Sequence, residues 1–257
     1  MPTTRSKSDS LYQTVRQDIL SLDLEPGAPL RLPTLSERYR IGLTPLRECL
    51  NRLTTEKLVV IEHNKGFRVA PLSRADLLDL EQARNAIEGA LFVDSIRQGR
   101  DTWEAAVVGS YHHLSKTPFP SVLQAPEDLA QWTKRHEAFH RALISGAPSV
   151  WMHRFCDQLG DQLGRYHLFI QNGLRDMSVT QPAQASTAAA TFSKAMELAP
   201  HTALHDAALA RDTDAAAELF RAHANLSIQA FEELIQLLPA ETPVGTLLRH
   251  PTNEASA

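Results

Sequence analysis

Four of the eleven histidines in the chain have a spacing that could form a metal site. His136 and His140 are one helical turn apart, so both imidazoles project from one face of the helix predicted there. His201 opens the next-to-last predicted helix, and His223 lies on the last one. Imidazole nitrogens brought together in this way suit zinc, nickel or another borderline divalent ion. The alternative is that each histidine only makes a hydrogen bond in the core or at the surface.

The same predicted helix contains a protease-like pattern. Residues 136–140 read HEAFH, which satisfies H-E-x-x-H, and Glu137 would then be the general base of a zinc hydrolase. The extended form H-E-x-x-H-x-x-G-x-x-H is absent from the sequence, and no strand pattern lies nearby. A metallohydrolase therefore stays an alternative only, and we predict that the chain is not an enzyme.

Residues 34–70 have the pattern of a DNA-reading helix followed by a wing. Thr44 is predicted to be the N-cap of this helix, with Pro45 in the first helical position, where its missing N–H is tolerated. Two strands are predicted to follow, at Leu58–Ile61 and Phe67–Ala70. Gly66 lies in the turn between them and supplies the positive φ that such a turn often needs. The order of elements predicts a winged helix-turn-helix.

The polar side chains of this segment have the chemistry of base and phosphate contact. A helix-turn-helix places the N-terminal part of its second helix in the major groove, where Arg47 could bind a guanine. Lys65 on the wing is placed for a phosphate or the minor groove. The predicted DNA-contacting residues are Thr34, Thr44, Arg47, Asn51, Lys65 and Gly66.

Charge is divided unevenly along the chain. Residues 1–71 contain 11 Lys/Arg and 8 Asp/Glu, and the remainder contains 15 and 22, so net charges of +3 and −7 make up the total of −4. A basic head on an acidic body is typical of a DNA-binding domain joined to a sensor. The excess of positive charge is small, so we expect a homodimer on double-stranded operator DNA.

The sequence after Pro71 shows only helical periodicity. It predicts six helices joined by short turns, including a fourth helix at Pro148–Gln171 and a fifth at Thr187–Ala210. The expected fold is mainly α, with an N-terminal winged helix-turn-helix and a C-terminal all-α six-helix antiparallel bundle. The expected domains are residues 1–71, residues 72–238 and a loose tail at 239–257.

Two features bear on the compartment. The two cysteines, Cys49 and Cys156, fall in different predicted domains and imply no disulfide framework. No run approaches the ~18–20 apolar residues that a membrane span needs. We therefore expect a cytoplasmic protein with no membrane association.

The run TPLRECLNRL, followed by NKGFRVAPLS, resembles the winged helix-turn-helix of the GntR superfamily of bacterial repressors. The resemblance covers residues 11–72. It places Arg47 on the base-contacting arginine of the family and Gly66 on its wing-tip glycine. Leu43 stands where most members carry an arginine, which implies an operator that differs from the commonest one.

The runs TKRHEAFHRALI and PHTALHDAALARDTDAAAELFRAH resemble the FCD ligand-binding domain of the FadR subfamily. His140, His201 and His223 match the three histidines of that family, and His136 stands where aspartate is more frequent. Repressors of the carbon-starvation-induced (CsiR) type share this histidine and the pair Arg165-Tyr166. The count of six helices points to the VanR-like branch.

The resemblance implies a function. In this family a buried metal helps to bind a small carboxylate effector, and an arginine can pair with the acid group. Arg84 and Arg165 are the candidates here, although Arg84 could instead pair only with Glu88. The chain is thus expected to be a transcriptional repressor that a small organic acid releases from its operator, with zinc or nickel in the histidine site. The alternative within this class is a metal-free regulator whose histidines contact the effector directly.

Overall fold

The computed structural model describes residues 7–120 and 126–238. The predicted tail at 239–257 lies outside the described residues. The predicted fold class is confirmed, because a small winged head of three helices and a two-stranded sheet precedes a body made of helices. Within the described ranges, no helix is long and apolar enough to cross a membrane.

The head packs its elements around one apolar core. Its elements are α1 (Lys7–Leu20), α2 (Leu32–Tyr39), α3 (Leu43–Thr55), β1 (Val59–Glu62) and β2 (Gly66–Val69). Val15 and Ile19 of α1 and Leu46 and Leu50 of α3 are fully buried against each other. These pairs are spaced by one helical turn, so each helix turns a single apolar face inward and leaves its polar face in solvent.

Helix α2 begins at Leu32, two residues before Thr34. Pro33 occupies one of the first two helical positions, which it tolerates because the N–H groups of a first turn have no partner within the helix. The helix ends at Arg40, whose left-handed conformation (φ 51°) makes the corner that leads to α3.

Helix α3 also begins earlier than predicted, so the prediction that Thr44 is its N-cap is wrong. Gly42 is the N-cap, without a side-chain capping bond, and Leu43 is the first helical residue. Thr44 and Pro45 are therefore the second and third helical residues. Pro45 is accommodated there because the first four N–H groups of a helix have no intrahelical acceptor.

The wing is an antiparallel hairpin in which Val59 pairs with Val69 and Glu62 with Gly66. Gly66 has φ +81°, so the prediction that it supplies a positive φ in this turn is confirmed. The backbone N–H of Leu30 donates to the carbonyl oxygen of Phe67 at 2.8 Å, which ties the wing to the loop before α2.

The described part of the body contains seven helices, not the predicted six. They are α4 (Arg74–Gln98), α5 (Asp101–Ser115), α6 (Pro126–Ile144), α7 (Val150–Thr180), α8 (Pro182–Ala195), α9 (Leu198–Ala210) and α10 (Thr213–Leu237). The predicted helix Thr187–Ala210 is two helices, because the chain leaves the helical path at Met196, the C-cap of α8, and at the extended Glu197, the N-cap of α9. Helix α7 continues past Gln171 because Leu174 and Met177 extend its buried face. The helix count that pointed to the VanR-like branch is therefore not found.

Helix α10 lies at the centre of the bundle and packs against α4, α8 and α9. Phe220, in its N-terminal half, joins Phe92 and Phe139 in one apolar cluster. Phe231, in its C-terminal half, joins a second cluster with Tyr166. The first cluster surrounds the histidines and positions them.

Candidate metal centre and nucleic-acid interface

The four predicted histidines come together in the bundle. Helix α6 carries His136 and His140, α9 carries His201 in its first turn, and α10 carries His223. One nitrogen from each ring lies within 4.8 Å of those of the other three. Three of the side chains are buried, and that of His136 is half-buried.

Neighbouring groups fix the orientation of the rings. Trp132, one turn before His136 on α6, stacks on that imidazole with ring centroids 4.6 Å apart. The Nδ1 atom of His201 is 2.8 Å from the carbonyl oxygen of Glu197. A carbonyl only accepts, so Nδ1 carries the hydrogen and the lone pair of His201 is on Nε2. A metal-ligating histidine typically has its second nitrogen held in this way.

The free nitrogens are buried without partners. Among the described residues, no hydrogen bond reaches His136 Nε2, His140 Nδ1, His201 Nε2 or His223 Nδ1. Burial lowers the pKa of His223 to about 3 and lowers the pKa of His136 and His140 well below the usual range. The rings are therefore neutral at pH 7, which is the form that ligates metal. Unsatisfied buried nitrogens are costly, and a cation bound by Nε2 of His136 and Nε2 of His201 would remove that cost at those two atoms.

The spacing between two of the rings fits a zinc-sized ion. His140 Nε2 and His223 Nε2 form a hydrogen-bond contact of 3.3 Å, and their rings are nearly parallel. Zinc–nitrogen bonds of about 2.0–2.1 Å at a tetrahedral angle separate two ligand nitrogens by about 3.3–3.4 Å. The residues present thus fit a divalent ion in donor type, protonation state and spacing.

A cavity of about 600 Å³ adjoins the histidines and receives Arg84 from α4. Arg84 Nε lies 3.4 Å from Glu88 Oε1, and Arg84 Nη1 lies 3.8 Å from Glu81 Oε2. The pairing of Arg84 with Glu88 expected as the alternative is thus present. The Arg84 Nε–H nevertheless makes no hydrogen bond within the described ranges. Arg84 is therefore placed to receive a further acceptor in the cavity.

Arg165 does not lie in this cavity, so its predicted contact with an effector is corrected. Its side chain is 1% exposed, and it donates to the carbonyl oxygen of Ala70 at 2.6 Å and to Gln162 Oε1 at 3.0 Å. Successive helical residues are turned by about 100°, so α7 directs Gly164 to the cavity and Arg165 to the interdomain linker. Arg165 holds the head to the bundle.

Sequence reasoning missed the other contacts of this junction. Asp161 of α7 borders the cavity and also forms an ion pair with Arg16 of α1. Arg16 in turn binds Glu56 at the end of α3, with Nε 2.9 Å from Oε2. Gln162 donates from Nε2 to the backbone oxygen of Glu56 at 2.7 Å. No sequence signal marks these residues, because the contacts join segments 40 to 145 positions apart.

Glu137 is the second residue of the HEAFH run that suggested a hydrolase. It is exposed and borders the cavity, although it is not one of the four clustered ligands.

The predicted DNA-contacting residues are all exposed on the head. Thr34, Arg47, Lys65 and Gly66 border one open groove between α2, α3 and the wing. Thr44 and Asn51 are exposed on α3 but do not border it. Two further arginines that the sequence analysis missed also border the groove, at positions 31 and 68.

Comparisons with known proteins divide the chain into the same two parts, the winged head and the helical body. Residues 7–69 match the family described as "Bacterial regulatory proteins, gntR family", and residues 79–226 match the FCD domain. The chain is 34% identical over 214 residues to the HTH-type transcriptional repressor GlaR of Escherichia coli K12, which covers 82% of this chain and 90% of that protein. It is 32% identical over 230 residues to the HTH-type transcriptional regulator BphR of Paraburkholderia xenovorans LB400, covering 89% and 86%.

Solved structures share the fold. A transcriptional regulator from Rhodococcus sp. RHA1 superposes with a TM-score of 0.60 at 19% identity, covering 89% of this chain and 99% of that one. The structure of E. coli McbR/YncC superposes with a TM-score of 0.57 at 17% identity, and the match covers 91% of this chain and 99% of that one. The matched domains and the named relatives are regulators and not enzymes, which removes the support for a hydrolase built on HEAFH.

Proposed function

We propose, from the premise that the chain belongs to the gntR family of bacterial regulatory proteins and contains an FCD domain, that its bundle senses a small carboxylate through a metal held by four histidines. The chain is a DNA-binding transcriptional regulator of that family. We propose further that it is a repressor, as the printed name of its relative GlaR says of that protein.

The observation that carries the proposal is the convergence of His136, His140, His201 and His223 beside a cavity. Their nitrogens lie within 4.8 Å of one another, and one nitrogen of each ring has no hydrogen bond in the described part of the chain. A zinc or nickel ion held by these four imidazoles would accept an oxygen ligand by expanding its coordination beyond four. Ordinary core histidines would instead be paired with protein groups.

We infer that Arg84 orients the carboxylate. Its guanidinium borders the same cavity as His136 and His140, and its contacts to Glu81 and Glu88 are longer than hydrogen bonds. A carboxylate would give it charge-assisted hydrogen bonds that are short and strong. Arg84 would thus add a positive charge and a directional donor to the histidine site.

Helix α7 supplies a route from the cavity to the DNA-binding head. Asp161 borders the cavity and pairs with Arg16, and its neighbour Gln162 binds the backbone of Glu56 at the end of α3. A ligand that displaces this segment of α7 therefore changes the orientation of α3. In a homodimer on a pseudo-palindromic operator, such a change alters the spacing of the two reading helices and weakens binding.

On the head, Arg47 and Lys65 are proposed to contact operator DNA across the groove that they border together. Arg31 lies on the same groove and adds a third cation to that surface. Thr34, Thr44 and Asn51 are exposed beside it and are proposed as further polar contacts.

Metal analysis together with operator binding tests the proposal. The full-length protein, purified without chelator, is expected to carry about one equivalent of zinc or nickel per chain. The quadruple variant with alanine at positions 136, 140, 201 and 223 should carry none and should still bind the operator. A wild-type protein that takes up no divalent ion from solution would exclude the metal and leave the metal-free regulator as the better description.

A further inference from the structure

We infer that the effector is a monocarboxylic acid with an aromatic or similarly bulky apolar body, and that a second carboxylate is rejected. The inference rests on the proposed function, in which the cavity binds an acid group beside the histidines and Arg84. It adds the chemistry of the rest of the ligand, which is read from the walls of the cavity away from that end.

One wall of the cavity is aromatic and apolar. Phe119 meets Trp132 edge to face, with ring centroids 4.7 Å apart, and Trp132 continues the wall to the ring of His136. Leu129 and Met196 border the same space. Rings arranged in this way accept a further ring in an offset or edge-on geometry. An apolar body extending from the histidine end would lie against this wall.

The size of the cavity agrees with such a body. Its volume of about 600 Å³ falls within the range of about 300–1,000 Å³ typical of sites for ligands larger than a few atoms. An acid of two or three carbons bound at the histidine end would leave the Phe119 and Trp132 surface in contact with water only. An arylalkanoic acid would cover that surface.

The charges at the mouth of the cavity disfavour a second acid group. Glu137 and Asp157 are exposed at the mouth of the cavity, and no ion pair reaches either carboxylate within 7–120 and 126–238. Arg141 is also exposed and borders the cavity, so the two acidic groups outnumber this cation there. Asp161 also lies there, although Arg16 pairs with it. The far end of a dicarboxylate anchored at the histidines would meet these like charges. Repulsion of this kind is a common way to exclude a competing ligand.

Calorimetric titration of the zinc-loaded full-length protein tests the inference with two acids of similar size. One is 3-phenylpropanoate, which has one carboxylate and a ring, and the other is adipate, which has two carboxylates and no ring. We expect 3-phenylpropanoate to bind at least ~10-fold more tightly than adipate.

Two variants test whether the charge at the mouth of the cavity, rather than the shape of the ligand, disfavours adipate. Asp157→Lys should raise the affinity for adipate about tenfold by replacing a repulsive group with an attractive one, with little effect on 3-phenylpropanoate. Asp176→Lys is the matched control, because Asp176 is exposed on the same helix but does not border the cavity. It should leave both affinities unchanged.

The outcomes distinguish the inference from the proposed function. If adipate binds the wild-type protein as tightly as 3-phenylpropanoate, or if Asp157→Lys does not improve adipate binding, the inference is overturned and the proposed carboxylate site stands. If zinc binds but neither acid does, both are overturned.

Discussion

Arg16 of the winged head and Asp161 of the helical bundle form an ion pair across the domain boundary. Asp161 also borders the cavity beside the histidines, so one carboxylate touches both the proposed sensor and the DNA-binding domain. The guanidinium of Arg16 extends the link to Glu56, at the end of the reading helix α3. This relationship makes the coupling between the two domains accessible to single substitutions.

Asp161→Asn should weaken the response of operator binding to effector without removing either binding event. The side chains of the pair are 23% and 36% exposed, so their interaction contributes at most about 1 kcal/mol, or about a fivefold change in coupling. Operator affinity measured with and without effector gives the coupling directly. Asp176→Asn, on the same helix but away from Arg16, is the control. An unchanged ratio of affinities in Asp161→Asn would show that the signal takes another route.

Arg47→Ala should lower affinity for the specific operator by about 1–3 kcal/mol and relax the preference at one base pair, as expected of a contact to a guanine. Lys65→Ala should instead weaken binding to all sequences evenly and reduce the salt dependence, because its proposed contact is to the phosphate backbone. Binding to a set of operator variants at two salt concentrations distinguishes the two effects. An Arg47→Ala protein that footprints like wild type would contradict the placement of α3 in the major groove.

His201→Ala should abolish metal binding and the thermal stabilisation that added zinc confers. A ligand that binds only the folded state at 100 times its Kd stabilises by about 2.7 kcal/mol, and this increment should disappear. His205→Ala is the matched control, since His205 lies one turn further along α9 and outside the cluster. Operator binding without effector should be nearly unchanged in both variants. Retention of the zinc-dependent shift in His201→Ala would exclude His201 as a ligand.

Glu137→Gln should leave both metal content and operator binding unchanged, because the carboxylate lies at the mouth of the cavity and outside the ligand cluster. A hydrolase would instead lose turnover with its general base. Assay of peptide and amide substrates before and after the substitution provides the test. Measurable turnover that Glu137→Gln eliminates would require the regulator assignment of this domain to be revised.

The protein should be a homodimer at micromolar concentration, formed through the helical bundle and the linker near Pro71. The head alone has a net charge of only +3, which offers little electrostatic affinity for DNA, so two linked heads are needed for tight binding. Light scattering gives the mass in solution. A monomer that still binds its operator tightly would contradict this expectation.

Local sequence signals predicted the presence of helices and of the wing turn better than the residues at which the helices begin and end. Ser73 is of a residue type favoured at N-caps, and its side chain accepts from the N–H of Asp76 at the start of α4. Gly66 was predicted in the wing turn and has the positive φ expected there. The prediction that Thr44 is the N-cap of α3 was wrong, because capping depends on backbone conformation as well as on residue type. Here Gly42 supplies that conformation without a side-chain bond.

For the candidate site, too, the sequence predicted local features correctly and contacts between distant helices less well. Periodicity placed His136 and His140 on one face of a helix, but it could not show that His201 and His223 meet them, because contact between distant helices is set by tertiary packing. Arg165 was assigned to the wrong place for this reason. An arginine could bind an acid ligand as well as a backbone carbonyl, so residue type alone does not decide between them. The position of Arg165 around the axis of α7 directs it to the carbonyl oxygen of Ala70.

The stacking of Trp132 on His136 gives the site an intrinsic optical signal. An indole 4.6 Å from an imidazole changes its emission when that ring ligates an ion or gains charge. The other two tryptophans differ from it in environment. Trp103 is buried and hydrogen-bonded to the oxygen of Leu143, and Trp151 is 66% exposed, so a soluble quencher suppresses the latter first. Occupancy of the histidine cluster can therefore be followed in the unlabelled protein by its own fluorescence.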